Sequence, residues 1–348
     1  MIHFYLAKIL LLSTLAFVFT IVWTPLLTHF LYKHKMGKKI RSNGATPIFT
    51  KLHSKKSGTP TMGGLLVWVT ALIFAVGFFY LAKLPVDFFQ NLNFLTRSQT
   101  LLPLGAFVAT ALIGLFDDWL DITGKGIWGG GGLKVRDRLL FYALIAIVGA
   151  WWFYFKLDWD VLHVPFVGDF QIGWWYIPMF IFVIVATAFS VNETDGLDGL
   201  AGGILLFSFG AYGVISFANG KYDLATFCGV IAGALLAFLW FNIHPARFFM
   251  GDTGAMSLGV TLGIIAMLTN SVLILPIIGF VFVIESVSVI AQILSKKIRG
   301  KKLFLSAPIH HHLEAIGWPE TKIVMRLWVV SGVATALGLI VFLLDKTM

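Results

Sequence analysis

The sequence predicts an all-α polytopic integral membrane protein of about ten transmembrane helices. It reads as one domain over residues 1–348, with both termini outside and a polar site on the cytoplasmic face. Three observations carry that prediction. The 348 residues are 58% hydrophobic and only 12% charged, with a mean hydropathy of +0.87, well away from the composition of a soluble domain. Ten stretches are apolar over lengths near the roughly 17–25 residues that a helix needs to cross a bilayer. The basic residues gather in alternate connections, the asymmetry that sets membrane orientation.

The first span covers 6–32. It is too long for the apolar core of a cleavable signal, and its strongest charges follow it. The others are 62–82, 100–120, 139–155, 174–191, 199–217, 224–241, 255–269, 272–294 and 327–344. Connections 33–61, 121–138, 192–198, 242–254 and 295–326 hold 20 of the 26 Lys and Arg residues. The opposite set, with both termini, holds Lys8, Lys83, Arg97, Lys156, Lys221 and Lys346. The positive-inside rule puts the first set in the cytoplasm. It also accounts for the net charge of +9 without a nucleic-acid partner. The single cysteine, Cys228, excludes an internal disulfide. No repeat of fixed period is present, and the glycine run 129–132 is too short for a linker.

Nearly every polar cluster falls on the cytoplasmic set. Asp117 and Asp118 end the third span, where acids oppose the helix dipole unless a cation compensates them; the plain alternative is a polar stop at the water boundary. Adjacent residues on a helix point about 100° apart, so the two carboxylates serve different tasks. In the stretch NETDGLDG, Asp195 and Asp198 share a helical face if the sixth span begins there, and Gly196 lets backbone approach a ligand; a helix cap is the plain alternative. Asp252, between Gly251 and Thr253, opens the eighth span either as an N-cap or as the carboxylate of a magnesium site. Lys56 precedes SGTPTMGG, a phosphate-holding arrangement without the P-loop order; positive-inside topology alone also explains it. Glu285 is the one acid deep in a span, either a functional group or a helix-orienting one. His310, His311 and His312 are consecutive and cannot converge on one metal from a regular element. Several acidic and polar clusters and one basic, histidine-bearing loop on one face point to an anionic substrate and a divalent metal.

Together the stretches SGTPTMGG, FDD, NETDGLDGL, FFMGDTG and APIHHHLEAIGW resemble, in order and over essentially the whole chain, the phospho-N-acetylmuramoyl-pentapeptide-transferase (MraY-type) family. GTPTMGG and APIHHH are the specific motifs; the Asp motifs belong to the wider polyprenyl-phosphate hexose-1-phosphate transferase superfamily. The resemblance implies a multi-pass enzyme of the bacterial cytoplasmic membrane. It would move phospho-MurNAc-pentapeptide from UDP-MurNAc-pentapeptide to undecaprenyl phosphate, giving lipid I and UMP with Mg2+, and would act as a homodimer. It implies that Asp252 binds magnesium, that Asp117 activates the lipid phosphate and that Asp118 supports the site. Lys56, Thr61, Asn192, Asp195, Gly196, Leu197, Asp198, Asn242 and Phe249 match the uridine and ribose pocket. His311, flanked by His310 and His312, matches the phosphate–sugar contact. Two positions depart from the pattern. Asp121 stands where many relatives have lysine, leaving Lys125 or Lys134 for a pyrophosphate contact. Arg138 keeps the charge but not the shape of the usual lysine. A transferase using another UDP-HexNAc would share the Asp clusters without GTPTMGG and APIHHH in this form. An anion transporter would place its polar groups at the bilayer midplane, where only Glu285 lies.

Overall fold

The computed structural model describes residues 2–37, 56–124 and 132–348. In chain order the helices are α1 Ile2–Lys33, α2 Leu65–Leu81, α3 Asp87–Leu92, α4 Leu101–Thr123, α5 Val135–Lys156, α6 Tyr176–Thr194, α7 Leu200–Ala218, α8 Tyr222–Asn242, α9 Gly251–Leu268, α10 Leu275–Ile278, α11 Phe280–Arg299, α12 Ile309–Ala315 and α13 Glu320–Thr347. Every expected span therefore contains helix. Among the described residues, eight helices are long and apolar enough to cross a membrane, and Leu65–Leu81 is a shorter apolar one. This is an all-α polytopic membrane protein with one addition. Between α5 and α6, in the connection between two spans, β1 (Val161–Val164) pairs antiparallel with β2 (Gly168–Gln171).

The ninth span, expected to be continuous over 272–294, is broken. Pro276 lies in the first turn of α10, and the chain bends at Gly279 before α11 begins. The faces of α11 are inverted relative to a soluble protein: Glu285, Ser286, Ser288, Gln292 and Ser295 are buried, whereas Val287, Ile290, Ile293 and Leu294 are exposed. A helix arranged in this way is stable when the surroundings are apolar, because the polar groups then find partners inside.

The core is organised around α9, buried along its whole length and packed mainly on α4 and α6. A helix without a polar face belongs in the centre of a bundle. Small residues allow the close approach: a Cβ on Gly114 of α4 would lie 2.4 Å from the Asp252 carbonyl oxygen. The alternating course of the helices brings the C-terminal ends of α1, α4, α6, α8 and α11 to the same end of the bundle as the N-terminal ends of α2, α5, α7, α9 and α13. The sequence-level site residues lie there.

At the opposite end, His163 of β1 bridges Asp169 (Nδ1–Oδ1 2.7 Å) and Asp345 of α13 (Nε2–Oδ2 2.7 Å). Neutral imidazole donates from only one nitrogen, so both bonds require the protonated ring. Burial disfavours the charge, but the hydrogen bonds to Asp345 and Asp169 outweigh it and raise the pKa. A raised folded-state pKa gives stability that is full below the unfolded value, about 6.5, and lost as pH climbs through the folded one. His163→Gln is therefore expected to lower the melting temperature most at mildly acidic pH. A gap from wild type that widens with rising pH would refute this.

Candidate active site at one end of the bundle

Asp117 and Asp118 lie within α4, which runs on to Thr123, and they point to different neighbours. Asp118, 2% exposed, accepts hydrogen bonds from the backbone N–H groups of Asp252 (3.1 Å) and Thr253 (3.0 Å) and from the Thr61 hydroxyl (3.1 Å). It thus places a carboxylate at the N-terminus of α9, where free N–H groups and the positive end of the helix dipole favour an anion. The acid that seemed unfavourably placed at the end of α4 is offset by the start of another helix. Gly251 makes the approach feasible. Its φ is +75°, and a Cβ there would lie 2.6 Å from Asp118 Oδ2 and 2.5 Å from Thr61 Oγ1. Gly251→Ala is expected to cost about 1–3 kcal/mol of stability through a strained backbone and a displaced Asp118, read as a drop in melting temperature. An unchanged melting temperature would contradict this account of the turn.

Because Asp118 fills the start of α9, Asp252 is directed elsewhere; its own carboxylate makes no capping bond. Asp252 Oδ1 accepts from Asn192 Nδ2 (2.5 Å), and Oδ2 lies 3.2 Å from Arg138 Nη2. Arg138 also donates from Nη1 to Asn192 Oδ1 (3.0 Å), and its Nε lies 2.7 Å from Asp117 Oδ2. The backbone N–H of Leu133 donates to Asp117 Oδ1. One guanidinium thus stands between two acids from α4 and α9. The Asp117–Arg138 contact is close but not aligned as a hydrogen bond, and both atoms lack a hydrogen-bond partner among the described residues. Two buried carboxylates suit a hard divalent cation, which takes one or two protein carboxylates and leaves room for phosphate and water.

A second cluster surrounds Lys56. Its ammonium lies 2.7 Å from Asp198 Oδ1 and 2.5 Å from Glu320 Oε1. His244 Nδ1 is 3.0 Å from Asp198 Oδ2 and 3.5 Å from Glu320 Oε2. Donor atoms of Asp198, His244 and Glu320 lie within 4.8 Å of one another, a grouping capable of holding a metal. Lys56 already supplies a positive charge there, and Asp252 is not a member of the group. The Phe249 ring lies beside this cluster, its centroid 5.9 Å from Lys56 Nζ.

A third cluster contains the histidines, all on α12 and all with different partners. His310 is fully buried and bonds Glu285 Oε2 through Nδ1 (2.9 Å). His311 Nδ1 meets Glu314 Oε2 at 2.7 Å. His312 Nδ1 accepts from the Leu305 N–H (3.3 Å), and its ring packs on Phe304. A Cβ on Gly196 would lie 2.3 Å from His310 Nε2 and 3.3 Å from His311 Nε2. Glycine at 196 therefore admits two of the three imidazoles to the turn, whereas the contacts of His312 lie with Phe304 and Leu305. Glu285 thus reaches the histidine cluster through His310.

The segment from Asn192 to Asp198 joins all three clusters: Asn192 reaches Asp252, Gly196 faces the histidines and Asp198 holds Lys56. Asp195 and Asp198 do not share a helical face, as the sequence spacing suggested. They occupy the turn between Thr194, the end of α6, and Leu200, the start of α7, and Gly199 at φ +81° takes the N-cap position without a side-chain cap. Leu197 is buried in that turn. Asn242 spends both ends of its amide on backbone, accepting from Gly199 N–H (2.9 Å) and donating to the Phe248 carbonyl (2.8 Å), so it braces the turn. Asp121 accepts from the Gly132 N–H (3.0 Å). Lys134 precedes α5 as its N-cap, and Lys125 lies outside the described residues. Sequence reasoning missed His244, Glu314 and Glu320. Glu320 reads locally as an ordinary acid in a first helical turn after Pro319, and nothing local shows that it reaches Lys56, 264 positions away.

Apolar helices enclosing buried acids, a guanidinium and histidines at one end define a membrane protein with a charged site at the end of its helix bundle. Residues 100–270 match the model of glycosyl transferase family 4, and residues 56–66 match signature 1 of the phospho-N-acetylmuramoyl-pentapeptide-transferases. The chain is 38% identical to the phospho-N-acetylmuramoyl-pentapeptide-transferase of Chloroflexus aggregans over 347 residues, 96% of this chain and 89% of that one. It is 40% identical to that of Clostridium novyi (93% of each chain) and 39% identical to that of Anoxybacillus flavithermus (95% and 97%). The chain belongs to the phospho-N-acetylmuramoyl-pentapeptide-transferase family, a family of multi-pass bacterial membrane enzymes of peptidoglycan synthesis.

Proposed function

We infer that the chain transfers phospho-MurNAc-pentapeptide from UDP-MurNAc-pentapeptide to undecaprenyl phosphate, releasing UMP and forming lipid I. The observation that carries this reading is the likeness, over nearly the whole chain, to relatives named for that transfer. The geometry supports it: one substrate is a lipid and the other a charged nucleotide, and the charged clusters lie at the ends of apolar helices. An apolar groove of about 120 Å³ between α6, α9 and the α10–α11 bend, lined by Phe182, Val183, Leu262, Pro276, Phe282 and Val283, includes Ser190. Ser190 lies two residues from Asn192, so a lipid chain in that groove would approach the acidic cluster.

Asp252, with Asp117 beside it, would hold Mg2+, which when bound neutralises phosphate oxygens. Asp117 would accept the proton of, or orient, the lipid phosphate. Asp118 sets the position of Asp252 through the start of α9, with Thr61 holding Asp118. Lys56, Asn192, Asp195, Gly196, Leu197, Asp198 and Phe249 would form the nucleoside side, braced by Asn242. His311, with His310 and His312, would face the phosphate–sugar portion. The active form would span the cytoplasmic membrane ten times, with this site inside, as a homodimer.

The test is UMP release by the purified protein, expected only when UDP-MurNAc-pentapeptide, undecaprenyl phosphate and Mg2+ are all present. Equal release from UDP-GlcNAc would overturn the substrate assignment. For orientation, with Cys228 replaced, a cysteine at Lys301 should resist an impermeant thiol reagent in intact cells, and one at Gln90 should react. The reverse pattern would place the site outside.

A further inference from the structure

We propose that Arg138 is a built-in counter-cation: its guanidinium neutralises the Asp117–Asp252 pair at rest and must leave Asp252 for a divalent ion to bind there. This rests on Asp252 as the metal carboxylate. Asp117 is fully buried and Asp252 only 8% exposed. Two carboxylates brought together under such burial need a cation to remain charged. Arg138, with its side chain 21% exposed, supplies one by touching both, at 2.7 Å and 3.2 Å.

The fit is a compromise. A guanidinium binds one carboxylate best, through two parallel N–H bonds. Here the fork is divided between two acids and Asn192, and the closest contact leaves Asp117 Oδ2 and Arg138 Nε without hydrogen bonds among the described residues. A divalent ion on Asp252 would lie beside this guanidinium, and two neighbouring positive charges repel strongly in a partly buried site. The two cations therefore compete for Asp252. Asn192, bonded to both Arg138 and Asp252, is placed to keep its bond to the acid when the arginine moves.

The experiment is a titration of the full-length purified protein with Mn2+ alone, followed by electron paramagnetic resonance, without nucleotide or lipid. Removing the competing charge in Arg138→Gln is expected to tighten Mn2+ binding by about five-fold or more, the lower end of ordinary coupling between sites, although UMP release falls. Arg138→Lys keeps a charge, but a single ammonium does not span both acids as the fork does. It should tighten binding by a smaller factor, and it carries the test should the glutamine variant fail to fold. Affinity equal to or weaker than wild type in the folded Arg138 variants would overturn the proposal. Asp252→Asn separates the two inferences: if it binds Mn2+ like wild type, the metal assignment itself fails, whereas its loss of binding with unchanged Arg138 variants defeats only the counter-cation.

Discussion

Asp252→Asn is expected to lower the rate of UMP release by about 10²–10³-fold, the scale on which a preorganised electrostatic contact acts, and to weaken the dependence on Mg2+. The protein should remain folded. Asparagine keeps the volume and an oxygen that accepts from Asn192, and the start of α9 is held by Asp118 rather than by residue 252. Arg138 still has Asp117 as its partner, so no buried charge is stranded. Release within a few-fold of wild type at saturating Mg2+ would remove Asp252 from the chemistry.

The second large effect concerns His311. His311→Ala is expected to lose about 10²-fold in rate, the scale of a lost donor, with a melting temperature close to wild type. His311→Gln should recover part of the rate, since an amide can still donate. The neighbours behave differently because their partners differ. His310→Ala leaves Glu285 fully buried with only the long bond from the backbone N–H of residue 310 (3.4 Å), a cost of up to about 3–5 kcal/mol, so it should fail mainly by unfolding. His312→Ala removes a contact to the Leu305 N–H and Phe304 and should be the mildest. Rates and melting curves of the four variants separate these outcomes. Three equal losses together with stoichiometric zinc in the purified protein would instead make the histidines a metal site.

Some of this was legible in the sequence because it depends on transfer between water and lipid, an effect that follows composition and length. The apolar stretches, their alternation with basic connections and the gathering of polar motifs on one set of connections needed no contacts. The position of Gly251 beside Asp252 and the impossibility of three adjacent histidines meeting one ion are equally local, since they follow from backbone geometry. Pro276 marks the break at Gly279, but the apolar content that defines a span continues through it.

What the tertiary structure alone decided is which groups meet. Asp118 acts at the start of a helix 134 positions further along the chain, and Lys56 lies between Asp198 and Glu320. Glu285 pairs with His310, and Arg138 stands between Asp117 and Asp252. Periodicity reports which face of a helix is apolar, not which polar end will be its neighbour. That choice comes from the packing of α9 against α4 and α6, where small residues such as Gly114 let the backbones approach. Membrane insertion follows from the sum of apolar residues along each stretch, whereas charge pairing in the site depends on distances of a few ångströms that only the assembled bundle fixes.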